Sequence, residues 1–235
     1  MIVVIPDVHG RTFWKDVVKK YENEDIIFLG DYVDPYTFEG ITKQDALDNF
    51  KELIEFVKAH DNVTLLLGNH DLTYLNDKMP KDRYDYTGAK EIKQLFKDNL
   101  GRFKFIVFRI IDGKKVSFSH SVIGKHWLDT CKKLKDKNSD EVADLLNNDI
   151  NNHFLYIEEY AKVGYSRGGW YPYGSIVWAD VCEATPSNEN TLDDIDYMVF
   201  GHTQQRDEPI ITDTYACLDV RKGFIIDNYL SIKPI

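Results

Sequence analysis

Five short blocks of the sequence hold most of the polar residues that could bind a metal ion or move a proton. Each block follows a short apolar run, so its polar side chains stand where a β-strand would end. The blocks combine carboxylates, imidazoles and an amide without cysteine, a donor set that suits Mn²⁺, Fe or Zn²⁺ rather than a structural thiolate site. They are Asp7-Val8-His9, Gly30-Asp31 with Asp34, Gly68-Asn69-His70-Asp71, Ser119-His120 and Gly201-His202-Thr203.

The potential ligands in these blocks exceed what one ion would normally bind. Two ions about 3.5–4 Å apart that share one carboxylate would use all of them, and such a pair serves in-line attack on phosphorus. Each block taken alone also has a structural interpretation, because Asp caps helices and Asn and Asp favour turns. All five structural interpretations would have to hold at once, so we favour the metal site. Its predicted ligands are Asp7, His9, Asp31, Asn69, His120 and His202.

The first two-fifths of the chain alternate between predicted strands and helices. This rhythm predicts a parallel sheet with helices packed on its faces. Ligands of such sheets bind outside the carboxyl ends of the strands, where three of the blocks stand. The predicted strands are Ile2–Ile5, Ile26–Leu29 and Val63–Leu67, and the predicted helices are Phe13–Tyr21 and Thr42–His60.

The remainder of the chain is predicted to be less regular and richer in strands. A turn at Asp112-Gly113 between apolar runs indicates a β-hairpin of Phe103–Ile111 with Lys114–Ser119. We find no internal repeat and no linker, and therefore expect a single domain over residues 1–235. The other predictions are a helix at Gly88–Asn99, helical structure from 125 to 160, a loop from 164 to 175, and strands at Tyr197–Phe200, Pro209–Ile211, Tyr215–Val220 and Phe224–Asp227.

Composition limits the classes of function. The net charge of −10 argues against a surface that binds nucleic acid non-specifically, because such surfaces neutralise phosphates with clustered Lys and Arg. A phosphorylated substrate remains compatible, since a bound metal ion can reverse the local field. The three cysteines are far apart and lack a CxxC motif, which suits reduced thiols.

The apolar stretch at the N-terminus, MIVVIPDVHG, leaves no room for a signal peptide. No apolar run approaches the roughly 18 residues of a membrane span. We therefore expect a cytoplasmic protein. The predicted pair of metal ions favours a phosphorylated substrate, protein or small molecule, as its partner. Its oligomeric state is open.

The ordered series DxH, GDxxD, GNHD, SH and GHT resembles the metallophosphoesterase family with the calcineurin-like fold. The series runs from residue 7 to 203 and so covers most of the chain. The stretches GDYVD and IVWAD (176–180) look closest to the phosphoprotein phosphatase branch, which includes bacterial and phage Ser/Thr phosphatases and symmetrical diadenosine tetraphosphatases. The resemblance implies a four-layer α/β/β/α sandwich.

The resemblance also implies a role for each residue of the blocks. Asp7, His9 and Asp31 would bind the first metal, and Asp31 would bridge to the second. Asn69, His120 and His202 would complete the second site, with Mn²⁺ as the expected metal and Fe or Zn²⁺ as alternatives. His70 would protonate the leaving-group oxygen while Asp34 orients its ring, a division that general acid chemistry also requires.

Two arginines of the phosphoprotein phosphatase pattern are missing. Pro35-Tyr36 stands where the pattern has Arg-Gly, and no Arg follows closely after Asp71. A bidentate Arg orients phosphate strongly, so another residue should supply this contact. We expect Arg167, in a glycine-rich loop, and then Arg206 to bind the substrate.

The predicted activity is hydrolysis of a phosphate monoester by metal-activated water, with a phosphoserine or phosphothreonine protein as one substrate class. One alternative is hydrolysis of a dinucleoside polyphosphate or another nucleotide or phosphodiester. A second alternative is a non-catalytic metal-binding scaffold. The presence of both His70 and Asp34 favours an active enzyme.

Overall fold

Two β-sheets form the centre of the protein in the computed structural model, which describes residues 1–184 and 192–235. One sheet has six strands in the order β11-β10-β1-β2-β3-β4, and the other has five in the order β5-β6-β7-β9-β8. The strands are β1 Ile2–Ile5, β2 Asp25–Phe28, β3 Val63–Leu66, β4 Phe103–Lys104, β5 Ile106–Ile111, β6 Lys114–Ser119, β7 Tyr197–Phe200, β8 Ile210–Ile211, β9 Tyr215–Cys217, β10 Phe224–Ile226 and β11 Ile232–Pro234.

Strands β1 to β4 run parallel, as the alternating sequence pattern predicts. In the second sheet β6, β7 and β9 are parallel to one another, whereas β5 and β8 pair antiparallel at the edges. The helices are α1 Phe13–Lys20, α2 Lys43–Ala59, α3 Asn69–Leu75, α4 Ala89–Asp98, α5 Lys125–Thr130, α6 Ser139–Asn151 and α7 Ile157–Tyr160.

The strands at the centre of the six-stranded sheet are buried on both faces because that sheet is covered on both sides. Val4, Ile27 and Leu66 point to the second sheet and form the inner core with its side chains. The alternate residues Val3 and Phe28 belong to the outer core, which the helices also enter. Since successive side chains of a strand point to opposite faces, this alternation produces the α/β/β/α sandwich.

The predicted strand Phe103–Ile111 is divided in the structure. Its first part is β4 in the six-stranded sheet, and its second part is β5 in the other sheet. Between them the N–H groups of Phe105 and Ile106 donate to the side-chain oxygen of Asn147 at 2.7 and 3.3 Å, in place of ladder partners. Apart from Lys104 the residues around the crossing are apolar, and no glycine, proline or turn sequence marks it, so the sequence pattern does not reveal it.

The predicted hairpin turn is confirmed, since Asp112 and Gly113 both have positive φ (52° and 74°). The helical stretch from 125 to 160 divides into α5, α6 and α7, and β11 was not predicted. None of the helices in the described ranges is long and apolar enough to cross a membrane.

Candidate metal centre

Strand ends of both sheets bring the five sequence blocks together. Asp7 and Asp31 follow β1 and β2, and Asn69 begins α3 directly after β3. His120 and His202 follow β6 and β7 of the second sheet. All five side chains are buried. The carboxyl ends of parallel strands in the two sheets thus lie together, and the polar side chains that follow these strands form one cluster.

The backbone of this centre is in an unusual conformation. Four of its non-glycine residues adopt left-handed φ angles, which cost conformational energy for residues with a Cβ. Such strain is concentrated at functional sites, and here it turns polar side chains inward directly after the strands. The four are His9 (45°), Asp31 (53°), Asp34 (59°) and His202 (62°).

Two glycines allow the carboxylates to approach the backbone. A Cβ on Gly68 would lie 2.1 Å from Asp31 Oδ1, and a Cβ on Gly201 would lie 2.0 Å from Asp7 Oδ1. No side chain can occupy these positions without moving the carboxylates. Both glycines are therefore needed for the geometry of the centre.

The Oδ2 atom of Asp31 lies between two imidazoles. His9 Nδ1 is 3.0 Å from the carbonyl of Val33 and His120 Nδ1 is 2.9 Å from that of Leu29. Because a carbonyl only accepts, both Nδ1 atoms carry the proton and both Nε2 atoms present lone pairs. These Nε2 atoms lie 3.6 and 3.5 Å from Asp31 Oδ2. Lone pairs facing a carboxylate on two sides fit two cations that share this oxygen.

Further donor atoms converge on the His120 side of Asp31. Asn69 Oδ1 lies 3.0 Å and His202 Nδ1 lies 3.2 Å from His120 Nε2. Asp31, His120 and His202 each offer a ligand atom within 4.8 Å of the others. The donor set thus fits a divalent cation, with Asn69 as an additional oxygen ligand.

Asp7 is fixed by the backbone at the edge of the cluster. Both of its carboxylate oxygens accept from the N–H of His202, at 3.0 and 3.1 Å. Burial raises the pKa of Asp7 above its usual value. Removing this carboxylate from water without a cation is costly, which also fits a metal site.

Burial affects the ionisation of the proposed ligands. It lowers the pKa of His9 and of His202 well below the usual histidine value, which favours the neutral form that binds metal. For Asp31, burial raises the pKa, but the surrounding histidines, His120 first, bring it below the ordinary value. Neutral imidazoles and an ionised carboxylate are the states that metal ligands require.

His70 stands beside this cluster with other partners. Its N–H donates to Asp31 Oδ1 at 3.0 Å, and Nδ1 donates to Asp34 Oδ2 at 2.9 Å. Its Nε2 lies 2.8 Å from Arg83 Nη2. Distance alone groups His70 with His9 and Asp31 as a possible ligand set. Both ring nitrogens already have partners, however, so we keep His70 outside the metal set.

The ionisation of His70 reflects opposing effects. Burial lowers its pKa, but the charge of Asp31 and the hydrogen bond and charge of Asp34 raise it, and the net shift is upward. The Arg83 guanidinium opposes this increase. The carboxylate of Asp34 also accepts from the hydroxyl of Tyr74, so its orientation towards His70 is fixed from a second direction.

A family model for calcineurin-like phosphoesterases matches residues 1–206 of the chain. The chain belongs to the calcineurin-like phosphoesterases. It is therefore a metal-dependent phosphoric ester hydrolase, and the family implies a centre with two metal ions. The match does not assign the chain to the phosphoprotein phosphatase branch.

Two other comparisons add little to this result. A search of curated proteins finds no match. Among solved structures, hypothetical protein PH1004 from Pyrococcus horikoshii OT3 is 10% identical, with a TM-score of 0.45, over 100% of this chain and 87% of that one.

In this calcineurin-like phosphoesterase Asp71 connects two strand ends. The sequence left its role undecided. Its buried carboxylate accepts from the N–H groups of Asp31 and Tyr32, at 2.8 and 3.0 Å, and from that of Gly68 at 2.8 Å. Asp71 thus satisfies backbone donors at the ends of β2 and β3 and fixes their separation.

The two predicted substrate-binding arginines lie in different environments. Arg167 Nη2 donates to the carbonyl of His202 at 3.4 Å, and its Nη1 lies 3.4 Å from Asp180. It therefore borders the cluster. Arg206 is 96% exposed and its recorded ion pair is with Asp207 at 3.8 Å. Nothing in the described contacts brings Arg206 to the cluster.

The sequence did not identify Arg83 as a site residue. This arginine contacts His70 and lies over the ring of Tyr36 at 3.6 Å from its centroid. Arg83 belongs to the stretch KDRYDY, which has no motif and no periodic pattern. The contact arises from long-range packing, so sequence analysis offered no signal for it.

Proposed function

We propose that this calcineurin-like phosphoesterase hydrolyses a phosphate monoester, and that its substrate is a protein phosphorylated on serine or threonine. Asp7, His9 and Asp31 would hold one ion, and Asp31 with the remaining ligands would hold the other. Those remaining ligands are Asn69, His120 and His202. The metal we propose is Mn²⁺. When bound, the two ions would activate water and neutralise charge on the phosphoryl oxygens.

The arrangement of His70 carries this proposal. Its Nδ1 is 2.9 Å from Asp34, so the other ring nitrogen is directed away from the carboxylate. The ring of His70 also contacts that of His9 edge to face, with centroids 5.1 Å apart, and so lies beside the ligand cluster. An imidazole in this position can deliver a proton to the oxygen of a departing alcohol while Asp34 holds its ring. Alkoxide leaving groups such as that of serine need this assistance most.

An open groove beside the cluster supports a polypeptide substrate. The groove has a volume of about 620 Å³ and runs between the loop at Pro80 and the glycine-rich loop that carries Arg167 and Trp170. It also reaches Trp178, whose ring contacts that of His202 with centroids 5.8 Å apart. Trp170 is 88% exposed, so the groove is accessible to a large substrate. Arg167 would contact the phosphoryl group from this side.

The same groove also supports a second candidate function, hydrolysis of a dinucleoside polyphosphate. Trp170 and Tyr171 expose ring faces on which a nucleobase could stack. Arg167 would then bind a second phosphate. The openness of the groove favours the phosphoprotein, and its aromatic lining is the observation in favour of the nucleotide.

The experiment that tests the proposal is a parallel turnover assay. Metal-free protein is reloaded with Mn²⁺ and offered p-nitrophenyl phosphate, bis-p-nitrophenyl phosphate, a phosphoserine peptide and diadenosine tetraphosphate. His70→Asn serves as the matched variant. We expect turnover of the monoester and the peptide. The variant should lose most of its activity on the peptide and much less on p-nitrophenyl phosphate, whose leaving group departs without a proton.

The other outcomes of this assay have definite meanings. A preference for the diester or the dinucleotide would replace the proposed substrate class by the second candidate. Failure to hydrolyse any of the four substrates, with both ions bound, would contradict the proposal and favour the scaffold alternative.

A further inference from the structure

We propose that Arg83 binds the phosphoryl group of the substrate, in place of the two arginines that the phosphoprotein phosphatase pattern would supply. The inference rests on the proposed function insofar as the substrate is a phosphate ester. It assigns a positioning role to a residue that contributes no metal ligand and belongs to none of the five sequence blocks.

The contact between Arg83 and His70 is the first observation. A guanidinium has only donors, so the 2.8 Å contact between Arg83 Nη2 and His70 Nε2 requires the imidazole nitrogen to accept. Because Nδ1 of His70 donates to Asp34, Nε2 is the nitrogen that faces the reacting groups. Arg83 therefore holds a donor at the place where the leaving group must meet His70.

The second observation is the lack of a matched anion for Arg83. Among the described residues its Nε is buried without a hydrogen-bond partner, and the closest recorded carboxylate, that of Asp82, is 3.8 Å away. Arg11 provides the contrast, because two of its nitrogens bond the carboxylate of Glu39 at 2.8 and 3.0 Å. Arg11 is neutralised within the protein, whereas Arg83 retains donors for an anion from outside.

The surroundings of Arg83 hold its charge close to the cluster. Its guanidinium lies 3.6 Å from the centroid of the Tyr36 ring, and the side chain is 19% exposed. The ring of Tyr36 in turn contacts His9 edge to face, with centroids 5.1 Å apart. Cation–π stacking at this distance restrains a guanidinium without neutralising it. The Arg83 guanidinium therefore lies beside the metal cluster and can still bind an anion.

The segment that carries Arg83 is connected to the His70–Asp34 pair. Tyr84 stacks on Tyr74 with centroids 4.4 Å apart, and the N–H of Asp85 donates to the Tyr74 hydroxyl at 2.8 Å. The same hydroxyl donates to Asp34. The backbone of Arg83 has a φ of 51°, in the left-handed region. Arg83 itself therefore contacts His70, and the residues after it contact Asp34 through Tyr74. A strained backbone at such a position is typical of functional sites.

These contacts imply an exchange of partners when the substrate binds. Phosphoryl oxygens accept charge-assisted hydrogen bonds from Arg that are stronger than a bond to a neutral imidazole. Arg83 would turn its donors from His70 Nε2 to those oxygens. His70 Nε2 would then be free of the guanidinium, so one movement both holds the phosphoryl group and opens the imidazole to the leaving oxygen.

The test measures binding of inorganic phosphate to the Mn²⁺-loaded protein by calorimetry, without any turnover. The variants are Arg83→Gln and Arg83→Lys, and the matched control is Arg102→Gln, which changes an exposed arginine whose recorded hydrogen bond is to the carbonyl of Val57. We expect Arg83→Gln to weaken phosphate binding by about 10- to 100-fold, in line with a lost charged hydrogen bond. Arg83→Lys should recover part of the affinity, because it restores the charge but not the fork of donors.

Folding and metal content are measured in parallel, by thermal unfolding and by the number of Mn²⁺ ions per chain. We expect both to be unchanged in Arg83→Lys, which keeps the test valid if the Gln variant is unstable. For p-nitrophenyl phosphate, KM should increase in the Arg83 variants, and added guanidinium ion should partly restore turnover in Arg83→Gln.

Phosphate affinity within twofold of the wild type in both Arg83 variants would overturn the inference, as would a wild-type protein that binds no phosphate. This result is separable from failure of the proposed function. A wild-type protein that hydrolyses only nucleotides, yet loses phosphate affinity in Arg83→Gln, would leave Arg83 in its role and change only the substrate class.

Discussion

Asp31 uses its two carboxylate oxygens for different tasks. Oδ1 accepts the N–H of His70 at 3.0 Å, and Oδ2 lies between the Nε2 atoms of His9 and His120. Asp31 therefore holds the first turn of α3, which carries His70, and also faces both proposed metal positions. No neutral side chain of similar shape can do both, because an amide presents only one oxygen.

We accordingly predict that Asp31→Asn reduces Mn²⁺ binding from two ions per chain to one or none. The lost charge weakens both positions, and an amide nitrogen in place of Oδ2 has no lone pair for a metal ion. Elemental analysis after dialysis measures the metal content. Asp48→Asn, on the exposed side of α2, is the matched control and should retain two ions. Two tightly bound ions in Asp31→Asn would contradict the bridging role.

Asp34 is placed to influence the leaving group through His70. It contacts His70 Nδ1 and the Tyr74 hydroxyl and is buried. An Asn in its place keeps the shape but removes the charge that supports a protonated imidazole.

We predict that Asp34→Asn lowers kcat for phenyl phosphate by about 100-fold, within the usual range for loss of general acid catalysis. The loss should be much smaller for p-nitrophenyl phosphate, whose leaving group departs without a proton. Steady-state kinetics on a series of aryl phosphates measures this dependence on leaving-group pKa. Equal losses across the series would show that Asp34 does not act through the leaving group.

The loops that follow the strands explain why the site could be found from the sequence. Each strand that precedes one of the five blocks is predictable from its apolar run, and the residues after it are constrained by glycines such as Gly68 and Gly201. The crossing between β4 and β5 is different, because it depends on the side chain of Asn147 from α6. That side chain also donates to the carbonyl of Ile106 at 2.8 Å. It replaces backbone pairing where the chain leaves one sheet for the other.

Asn147→Ala should therefore destabilise the fold without touching the metal site. It leaves the N–H of buried Phe105 without its partner, which costs about 1–3 kcal/mol. Urea unfolding measures the change in the free energy of unfolding. Asn148→Ala, an exposed asparagine on the same helix, is the matched control and should change stability by less than about 0.5 kcal/mol. Equal effects of the two substitutions would contradict the role of Asn147 at the crossing.

The protein as a whole carries a net charge of −10 and concentrates several carboxylates in its interior. Burial raises the pKa of Asp7, Asp71 and Asp219, the last two well above the usual value. Buried like charges without a counterion oppose folding. Cations bound at the centre would offset this effect, so stability and metal content should be linked.

We predict that Mn²⁺ raises the melting temperature of the metal-free protein. At a free concentration 100 times the dissociation constant, linkage for one site gives about 2.7 kcal/mol. For a chain of this size that corresponds to roughly 5–10 °C. Scanning calorimetry at several Mn²⁺ concentrations measures the shift, which should be smaller in Asp31→Asn. A melting temperature independent of Mn²⁺ would contradict a metal centre within the folded core.

The sequence alone determined the first parallel strands, the hairpin turn and the block residues, because each depends on local patterns. Apolar runs define the strands, and the polar residues that follow them need only the general rule that parallel strands open at one edge. The tertiary structure decided the contacts of Asp71, Tyr74 and Arg83, which join segments distant in the chain and have no periodic signal. It also decided that the chain changes sheets at Phe105, because both sheets require the same apolar side chains and only the packing of α6 distinguishes them.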